Sequence, residues 1–213
     1  MTDFQPSDAS CDIAARTIAS YDERAEWFWE GTKDHDVTQN YEAFLNAMSG
    51  GRALDILDFG CGPGRDLRYF KELGHNPVGV DGSLAFCRMA RSHAGCVVHH
   101  QSFLELDLPP GAFDGVFANA ALFHVPSSDF TRVLRQLNAV LRAGGILFSS
   151  NPRGHAEGWN DGRYGYFMEL EQYRTHLHEA GFEVVSHYYR PAGRPCHRQP
   201  WLAVVSAKVP MAP

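Results

Sequence analysis

The sequence predicts an α/β fold, a Rossmann-like and mostly parallel sheet of seven strands with helices on both faces and a helical N-terminal extension. Three observations predict it. Short apolar runs alternate with helical patterns after residue 52, a glycine-rich turn joins the first run to a helix, and the 213 residues are 44% hydrophobic. Such alternation is typical of βαβ units, and the length suits one sizeable core.

The spacing of apolar residues predicts that the N-terminal 50 residues are helical. Apolar residues recur at helical intervals from Cys11 to about Trp29, and again from Val37 to Met48. The pair Gly50-Gly51 then interrupts the pattern. We therefore expect one domain with an N-terminal extension, in which residues 1–50 form a helical extension or lid and residues 51–213 form the α/β domain.

The later elements follow from apolar runs and glycine stops. The spacing predicts strands at residues 53–59, 77–80, 96–99, 113–119, 145–150, 182–189 and 201–208. It predicts helices at residues 64–73, 83–93, 127–141 and 170–180, and the first, second and fourth end at or near a glycine. Because a loop rich in Pro and Gly joins the last two strands, we expect them to form an antiparallel hairpin at one edge of the sheet.

Composition argues against several classes of protein. The net charge is -6, from 19 basic and 25 acidic residues, and the basic residues form no stripe, which disfavours a nucleic acid partner. No apolar run is long enough to span a bilayer, and the first twenty residues contain acids where a signal peptide would be basic, so we expect a cytoplasmic protein without membrane attachment. The five cysteines and eleven histidines lack the spacings of a metal site, and we expect no metal.

The run from Asp58 to Gly64, Asp-Phe-Gly-Cys-Gly-Pro-Gly, is the strongest local signal. Glycines allow a sharp turn close to a ligand, and the following helix directs its free N–H groups at that ligand. The spacing differs from the Gly-x-Gly-x-x-Gly of dinucleotide sites. Asp58 and Asp66 make the flanks acidic, which suits a cation with an amino group and a sulfonium better than a phosphate.

Two later segments complete a candidate cofactor site. Asp81 ends the second strand, where a carboxylate can accept both hydroxyls of a ribose. Gln101, Ser102 and Phe103 follow the third strand and are placed to border an adenine, while Asn119 ends the fourth strand.

These motifs, in this order, resemble the class I S-adenosylmethionine-dependent methyltransferases over about residues 54–148, including the turn Leu137–Leu147 into the fifth strand. The resemblance implies a methyltransferase (EC 2.1.1 class) whose cofactor is S-adenosyl-L-methionine and whose product is S-adenosyl-L-homocysteine. The predicted cofactor-binding residues are Asp58, Gly60, Cys61, Gly62, Gly64, Arg65, Asp66, Asp81, Gly82, Ser83, Gln101, Ser102, Phe103, Asn119 and Ala120.

The substrate should lie beyond the carboxyl ends of the fourth and fifth strands, where polar residues and long loops follow. His124 is a candidate proton acceptor because an unperturbed imidazole titrates near neutrality, and Asn119 and Tyr164 are the other catalytic candidates. The predicted substrate-binding residues are Phe123, Asn151, Arg153, Glu157, Trp159, Asn160, Arg163, Tyr166 and Arg190. Arginines can hold a carboxylate and Glu157 an ammonium, although each also fits a solvated surface charge. Trp27 and Trp29 fit either a lid or the core.

A closer resemblance covers the last third of the chain. Residues 149–154, 157–160, 163–165, 187–193 and 199–203 resemble the C-terminal methyltransferase domain of the bifunctional ovothiol synthases, with a departure at Cys196-His197. That resemblance implies methylation of the imidazole ring of 5-thiohistidine to give ovothiol A. These 213 residues lack the large sulfoxide synthase portion, so the expected functional partner is a separate sulfoxide synthase.

Two alternatives stay open at this stage. The first is a methyltransferase of another small amine, a thiol or a chalcogen oxyanion. The second is a module that binds S-adenosylmethionine without catalysis. A panel of acceptors distinguishes them, because only an enzyme forms S-adenosylhomocysteine.

Overall fold

The computed structural model describes residues 5–48 and 51–209, and it confirms the predicted α/β class. Seven strands form one sheet in the order β3-β2-β1-β4-β5-β9-β8. The strands are β1 (Asp55–Phe59), β2 (Asn76–Asp81), β3 (Val97–His100), β4 (Phe113–Asn119), β5 (Leu141–Pro152), β8 (Phe182–Arg190) and β9 (Trp201–Lys208). The first five pair in parallel, and β9 lies antiparallel between β5 and β8, so the predicted edge hairpin is confirmed.

Helices flank the sheet and precede it. They are α1 (Asp8–Glu23), α2 (Ala25–Thr32), α3 (Thr38–Asn46), α4 (Arg65–Glu72), α5 (Leu84–Ala94), α6 (Ser127–Val140) and α7 (Leu170–Glu179). Short 3-10 turns cover Leu122–His124 and Cys196–Arg198. Strand order reverses between β1 and β4, which places the topological switch point, the usual ligand position in such sheets, beside the glycine-rich turn.

The prediction of one helix from Cys11 to Trp29 was wrong in one respect. The chain leaves helical geometry at Arg24, with φ -118° and ψ 18°, and separates α1 from α2. Periodicity reports the spacing of apolar residues and not the direction of the helix axis, so it does not reveal this bend. The bend allows α1 and α2 to cover different parts of the same cavity wall.

The segment after β5, predicted to be a loop, contains a hairpin. Strands β6 (Glu157–Asn160) and β7 (Arg163–Tyr166) pair in antiparallel register across Asp161 and Gly162, whose φ values are 47° and 77°. Positive φ at both central residues is the geometry for which Asp-Gly is the strongest short-range signal. The polar composition of the segment favoured a loop, although its Asp-Gly pair is a sequence signal for a hairpin.

The N-terminal helices pack onto the α/β unit. Phe44 of α3 is fully buried in an aromatic cluster with Phe70, Phe117 and Phe148, and the last two rings stack with centroids 4.9 Å apart. On the same face of β4, two residues before Phe117, Gly115 lies against α3, where a Cβ would sit 2.5 Å from the Phe44 ring. The division at residue 50 stays a prediction, and Gly50 lies outside the described residues.

Candidate active site

A cavity of about 740 Å³ lies at the carboxyl ends of the parallel strands. This volume is in the range of small-molecule sites. Its floor is the glycine-rich turn after β1 and the ends of β2, β4 and β5, and its other walls are α1, α2 and the β6-β7 hairpin. The arrangement joins the predicted cofactor residues and the predicted substrate residues in one continuous space.

The glycines of the turn are required by close approach and by backbone geometry. At Gly60, with φ 76°, a Cβ would lie 2.4 Å from the Cβ of Ala121 and 3.1 Å from the Phe103 ring. At Gly64, with φ 96°, a Cβ would lie 2.8 Å from the Cα of Ala90. Gly62 has no atom within 4 Å of its Cβ position and faces the cavity, so a ligand can approach its backbone.

Asp81 lies at the end of β2 and lines the cavity. Its carboxylate accepts the N–H of Gly62 at 2.9 Å and the N–H of Ser83 at 2.8 Å. A carboxylate has about four acceptor positions, so these two bonds leave room for two ribose hydroxyls. Burial raises the pKa of Asp81 to about 6, against the lowering effect of the two backbone N–H groups. The group therefore carries a charge at neutral pH while remaining sensitive to mild acid.

The second acid, Asp66, is already surrounded by donors. It accepts the Tyr41 hydroxyl at 2.5 Å, the Arg65 Nε at 2.7 Å and the Asn119 amide at 3.2 Å. Asn119 in turn accepts the side-chain amide of Asn40 at 2.9 Å. The Arg65 charge thus balances the Asp66 charge, and the network fixes α3 and the end of β4 to the start of α4. Sequence reasoning missed Tyr41 and Asn40, since nothing in their spacing points to this contact.

Asp58 lies below the turn and outside the cavity, with 1% of its surface exposed. Burial and the neighbouring Asp66 raise the pKa of its carboxyl well above the usual range. The prediction that Asp58 faces a cationic ligand therefore needs correction, because a carboxyl in this position favours its neutral form.

Ser102 and Phe103, which were predicted to border an adenine, line the cavity together with Leu104. The Phe103 ring packs on Phe59 with centroids 4.3 Å apart, which fixes its orientation. Gln101 lies outside the cavity instead, where its side-chain amide exchanges two hydrogen bonds with the backbone of Asp107, at 3.0 and 3.1 Å. Gln101 thus shapes the loop that carries the lining residues.

His124 lines the opposite part of the cavity, and both of its ring nitrogens are engaged. Nδ1 lies 2.6 Å from the carbonyl oxygen of Tyr164, and Nε2 lies 2.7 Å from the Tyr21 hydroxyl. Burial, together with the nearby charge of Arg163, lowers the pKa of His124 to about 4, against the raising effect of the hydrogen bond to Tyr164. The imidazole is therefore neutral at physiological pH. Tyr21, on α1, was not among the residues that the sequence indicated.

Two of the predicted arginines line the cavity and one does not. Arg163 lies 3.8 Å from Asp161, and Arg190 donates to the backbone carbonyl of Asp36 at 3.1 Å. Arg153 lies outside the cavity, paired with Glu169 at 3.1 Å. The three arginines have the same charge and lie in the same third of the chain, so only the packing of the folded protein distinguishes them.

The other predicted substrate residues outside the cavity have structural contacts. Asn151 accepts the Phe123 N–H at 3.2 Å, and Glu157 accepts the Ser127 N–H at 2.8 Å, at the start of α6. The Arg16 guanidinium covers the Trp159 ring at 4.0 Å. The Tyr166 hydroxyl accepts the Gln172 amide at 2.7 Å. These four side chains therefore contact other parts of the protein outside the cavity, and they do not line it as predicted.

Most predicted site residues do meet at the cavity. Those lining it are Gly60, Cys61, Gly62, Arg65, Asp66, Asp81, Gly82, Ser83, Ser102, Phe103, Asn119, Ala120, Phe123, His124, Asn160, Arg163, Tyr164 and Arg190. Gly64 is outside it and supports the turn from behind. Trp29 lines the cavity whereas Trp27 is 70% exposed and does not.

Several lining residues were absent from the prediction. They include Tyr21, Phe28, Thr32, Asp36, Phe86 and Ser150. Ser150 is fully buried, and among the described residues its hydroxyl has no hydrogen-bond partner, which marks it as a group awaiting a ligand or water. The N-terminal helices supply three of the six, and Asp36 lies between α2 and α3. The strand-based reasoning gave no means of placing these four residues at the cavity.

The described part of the chain, residues 5–48 and 51–209, also bears on metal binding and on membrane insertion. No cluster of three or more His, Cys, Asp or Glu side chains is arranged to hold a metal ion within it. In the same ranges, none of the helices combines the length and apolar character that crossing a bilayer requires.

Comparison with known proteins bears on the fold and its family. Residues 56–145 match the family model described as a methyltransferase domain. The chain is 31% identical over 109 residues to a malonyl-[acyl-carrier protein] O-methyltransferase of Salmonella typhimurium, covering 50% of this chain and 42% of that protein. It is 31% identical over 182 residues to a 27-O-demethylrifamycin SV methyltransferase of Amycolatopsis mediterranei, covering 73% of this chain and 64% of that protein. The chain thus spans about half the length of the first of these curated relatives.

A solved structure matches nearly the whole chain. It is the 1,6-didemethyltoxoflavin-N1-methyltransferase of Burkholderia thailandensis, with bound 1,6-didemethyltoxoflavin and S-adenosylhomocysteine. The TM-score is 0.76 at 23% identity, over 97% of this chain and 93% of that one. The match over residues 56–145 identifies a methyltransferase domain in that segment, and the likeness over nearly the whole chain shows the Rossmann-like fold of S-adenosylmethionine-dependent methyltransferases.

Proposed function

We propose that the chain is an enzyme that transfers a methyl group from S-adenosylmethionine to an imidazole nitrogen of 5-thiohistidine, giving ovothiol A. One observation carries the choice of substrate. The segments that resemble ovothiol synthases supply the acceptor side of the cavity, through Asn160, Arg163, Tyr164, Arg190 and Trp201. The resemblance is therefore found at the surface that would contact the methyl acceptor.

The residues present fit the cofactor. Gly62 offers open backbone, Asp81 retains acceptor positions for a ribose, and Phe103 offers an apolar ring face beside Ser102. The carboxylates of Asp66 and Asp81 make this half of the cavity suitable for a cation, although Arg65 balances the first of them. When bound, S-adenosylmethionine supplies an electrophilic methyl group on a sulfonium.

The acceptor half can hold the amino acid part of 5-thiohistidine. Three guanidinium groups line the cavity, and one of them, Arg65, is paired with Asp66. Either of the other two, Arg163 and Arg190, can bind the substrate carboxylate through two parallel hydrogen bonds. Glu157, predicted to hold the ammonium, lies outside the cavity at the start of α6, and Asp161 lies outside it paired with Arg24, whereas Asp36 lines the cavity. We therefore assign the ammonium to Asp36.

The chemistry requires little from the protein beyond alignment and exclusion of water. The lone pair of a ring nitrogen forms the new N–C bond, the S–C bond breaks with its electron pair on sulfur, and one ring proton leaves to solvent. The apolar walls formed by Phe28, Phe86 and Phe123 limit water around the reacting atoms. Holding the acceptor at bonding distance supplies the main rate enhancement in such a displacement.

Two considerations concern the source of the substrate and the kind of atom that accepts the methyl group. Its substrate must come from a reaction that forms a C–S bond on the histidine ring, and we assign that step to a separate sulfoxide synthase. The Burkholderia relative named above acts on a ring nitrogen of a heterocycle by its name, which supports an aromatic nitrogen as acceptor. The cytoplasmic location and the absence of a nucleic acid partner stay predictions from composition.

The test is mass spectrometry of S-adenosylmethionine turnover with 5-thiohistidine, histidine and simple thiols in parallel. We expect S-adenosylhomocysteine and a product heavier by one methyl group with 5-thiohistidine alone, because a site built for a polar group rejects an analogue that lacks it. Turnover with another amine, a thiol or a chalcogen oxyanion would replace the proposed substrate. Binding of S-adenosylmethionine without turnover of any acceptor would indicate a non-catalytic module.

A further inference from the structure

The hydrogen bonds around His124 have a fixed direction. The carbonyl oxygen of Tyr164 can only accept, so Nδ1 of His124 carries the ring hydrogen. The buried imidazole is neutral, and Nε2 therefore presents a lone pair. The Tyr21 hydroxyl, 2.7 Å away, must donate its hydrogen to that lone pair. As a result the Tyr21 oxygen has no hydrogen left to offer and can only accept. The Arg163 side chain donates to one of its two lone pairs, which leaves the other for a further donor in the cavity.

We propose that Tyr21 contacts the methyl acceptor and binds its ring N–H, thereby selecting the ring orientation in which the other nitrogen directs its lone pair at the methyl donor. This inference rests on the proposed function and deepens it. His124, which the sequence indicated as the proton acceptor itself, acts as a positioning residue, because both of its nitrogens are already engaged.

The Tyr21 ring is held in place from several sides. Phe28 and Phe86 pack against it with centroids 5.5 and 5.4 Å away, and the His124 ring lies at 5.4 Å. A ring clamped in this way directs its hydroxyl oxygen to one position, which is the requirement for selecting one orientation of a small substrate. Tyr21 reaches the cavity from α1, so the N-terminal helix contributes a specificity residue as well as a wall.

The charge next to Tyr21 selects the kind of donor. The Arg163 guanidinium lies 5.4 Å from the centroid of the Tyr21 ring. A cation in that position repels an ammonium and admits a neutral N–H. The oxygen therefore favours the ring N–H of an azole over an alkylammonium. This preference agrees with the assignment of the substrate ammonium to Asp36, on another part of the wall.

The inference is tested with Tyr21→Phe, which keeps the clamped ring and removes only the hydroxyl. We expect kcat/KM for 5-thiohistidine to fall about 5- to 100-fold, the range for a lost hydrogen bond to a buried group, with the affinity for S-adenosylhomocysteine unchanged. Tyr69→Phe is the matched control, since Tyr69 stacks on Tyr41 outside the cavity and its ring survives the change. His124→Gln, which retains an acceptor for the Tyr21 hydroxyl, should keep more activity than His124→Phe.

A binding experiment separates this inference from the proposed function. Imidazole is titrated into the protein saturated with S-adenosylhomocysteine, and its Kd is measured by NMR for the wild type and for Tyr21→Phe. We expect the Kd to rise at least about fivefold in the variant. That result with no turnover of 5-thiohistidine would remove the proposed substrate and leave Tyr21 as an N–H acceptor. Equal Kd values, or no binding by either protein, would overturn the role of Tyr21 even if methyl transfer is observed.

Discussion

Substitution of Gly60 by alanine tests whether the turn after β1 is as tightly constrained as its geometry indicates. Gly60 has φ 76°, and a Cβ there would lie 2.4 Å from the Cβ of Ala121 and 3.1 Å from the Phe103 ring. The first contact involves a short side chain that has no alternative rotamer. The strand end or the segment that carries Ala121 must therefore move to admit the methyl group.

Two terms set the expected magnitude. A left-handed backbone costs a residue with a Cβ about 1–2 kcal/mol, and overpacking a filled site costs about 1–3 kcal/mol. The free energy of unfolding should thus fall by about 2–5 kcal/mol, and since about 1 kcal/mol corresponds to 2–4 °C for a domain of this size, Tm should fall by roughly 4–20 °C.

Gly74→Ala is the matched control for the backbone term. Gly74 has φ 84°, close to the value at Gly60, but no atom lies within 4 Å of its Cβ position, and it is outside the cavity. Thermal unfolding of both variants and calorimetric titration with S-adenosylhomocysteine give the comparison. The reasoning is refuted if Gly60→Ala unfolds at the same temperature as Gly74→Ala, or if both variants bind the ligand with wild-type affinity.

Three further outcomes are expected. Burial raises the pKa of Asp81 to about 6, and the ionised carboxylate is the better acceptor of ribose hydroxyls. The Kd for S-adenosylhomocysteine should therefore rise as the pH falls below about 6. Calorimetry at a series of pH values measures this, and a Kd that does not change with pH contradicts it. Arg163→Ala should raise KM for 5-thiohistidine about 10-fold or more and leave KM for S-adenosylmethionine unchanged, whereas the exposed Arg174 gives a control variant without effect. Asn119→Ala should lower the affinity for S-adenosylhomocysteine by loosening Asp66 and the Asn40 contact, and an unchanged Kd would show that this network does not position the cofactor turn.

The cofactor half of the site was accessible from sequence because its determinants are local. The glycine turn and the acid at the end of β2 occur at short, fixed distances from strands that periodicity detects. Backbone conformation and the carboxyl ends of parallel strands then bring Gly62 and Asp81 within hydrogen-bonding distance, at 2.9 Å. One prediction in this half was nevertheless changed by burial. Asp58 is buried below the turn, whereas the sequence suggested that it contacts the ligand.

The acceptor half depended on contacts between distant parts of the chain. Tyr21 and His124 are separated by 103 positions, and Tyr164 is another 40 beyond His124, yet the three form one directed set of hydrogen bonds. Packing also decides that Arg163 faces the cavity while Arg153 pairs with Glu169, which is 16 positions away in the chain. Residue type and spacing carry no information on such pairings.

The sequence by itself determined the α/β class, the succession of strands and helices in the main sheet, and the position of the cofactor turn, because these follow from apolar periodicity and glycine geometry over short stretches. It did not reveal the break between α1 and α2 or the β6-β7 hairpin. The tertiary structure alone decided which polar side chains face the cavity, which are neutralised by a partner, and that an N-terminal helix supplies Tyr21. The physical reason is that burial and hydrogen-bond direction arise from packing between elements, which is complete only when the whole chain has folded.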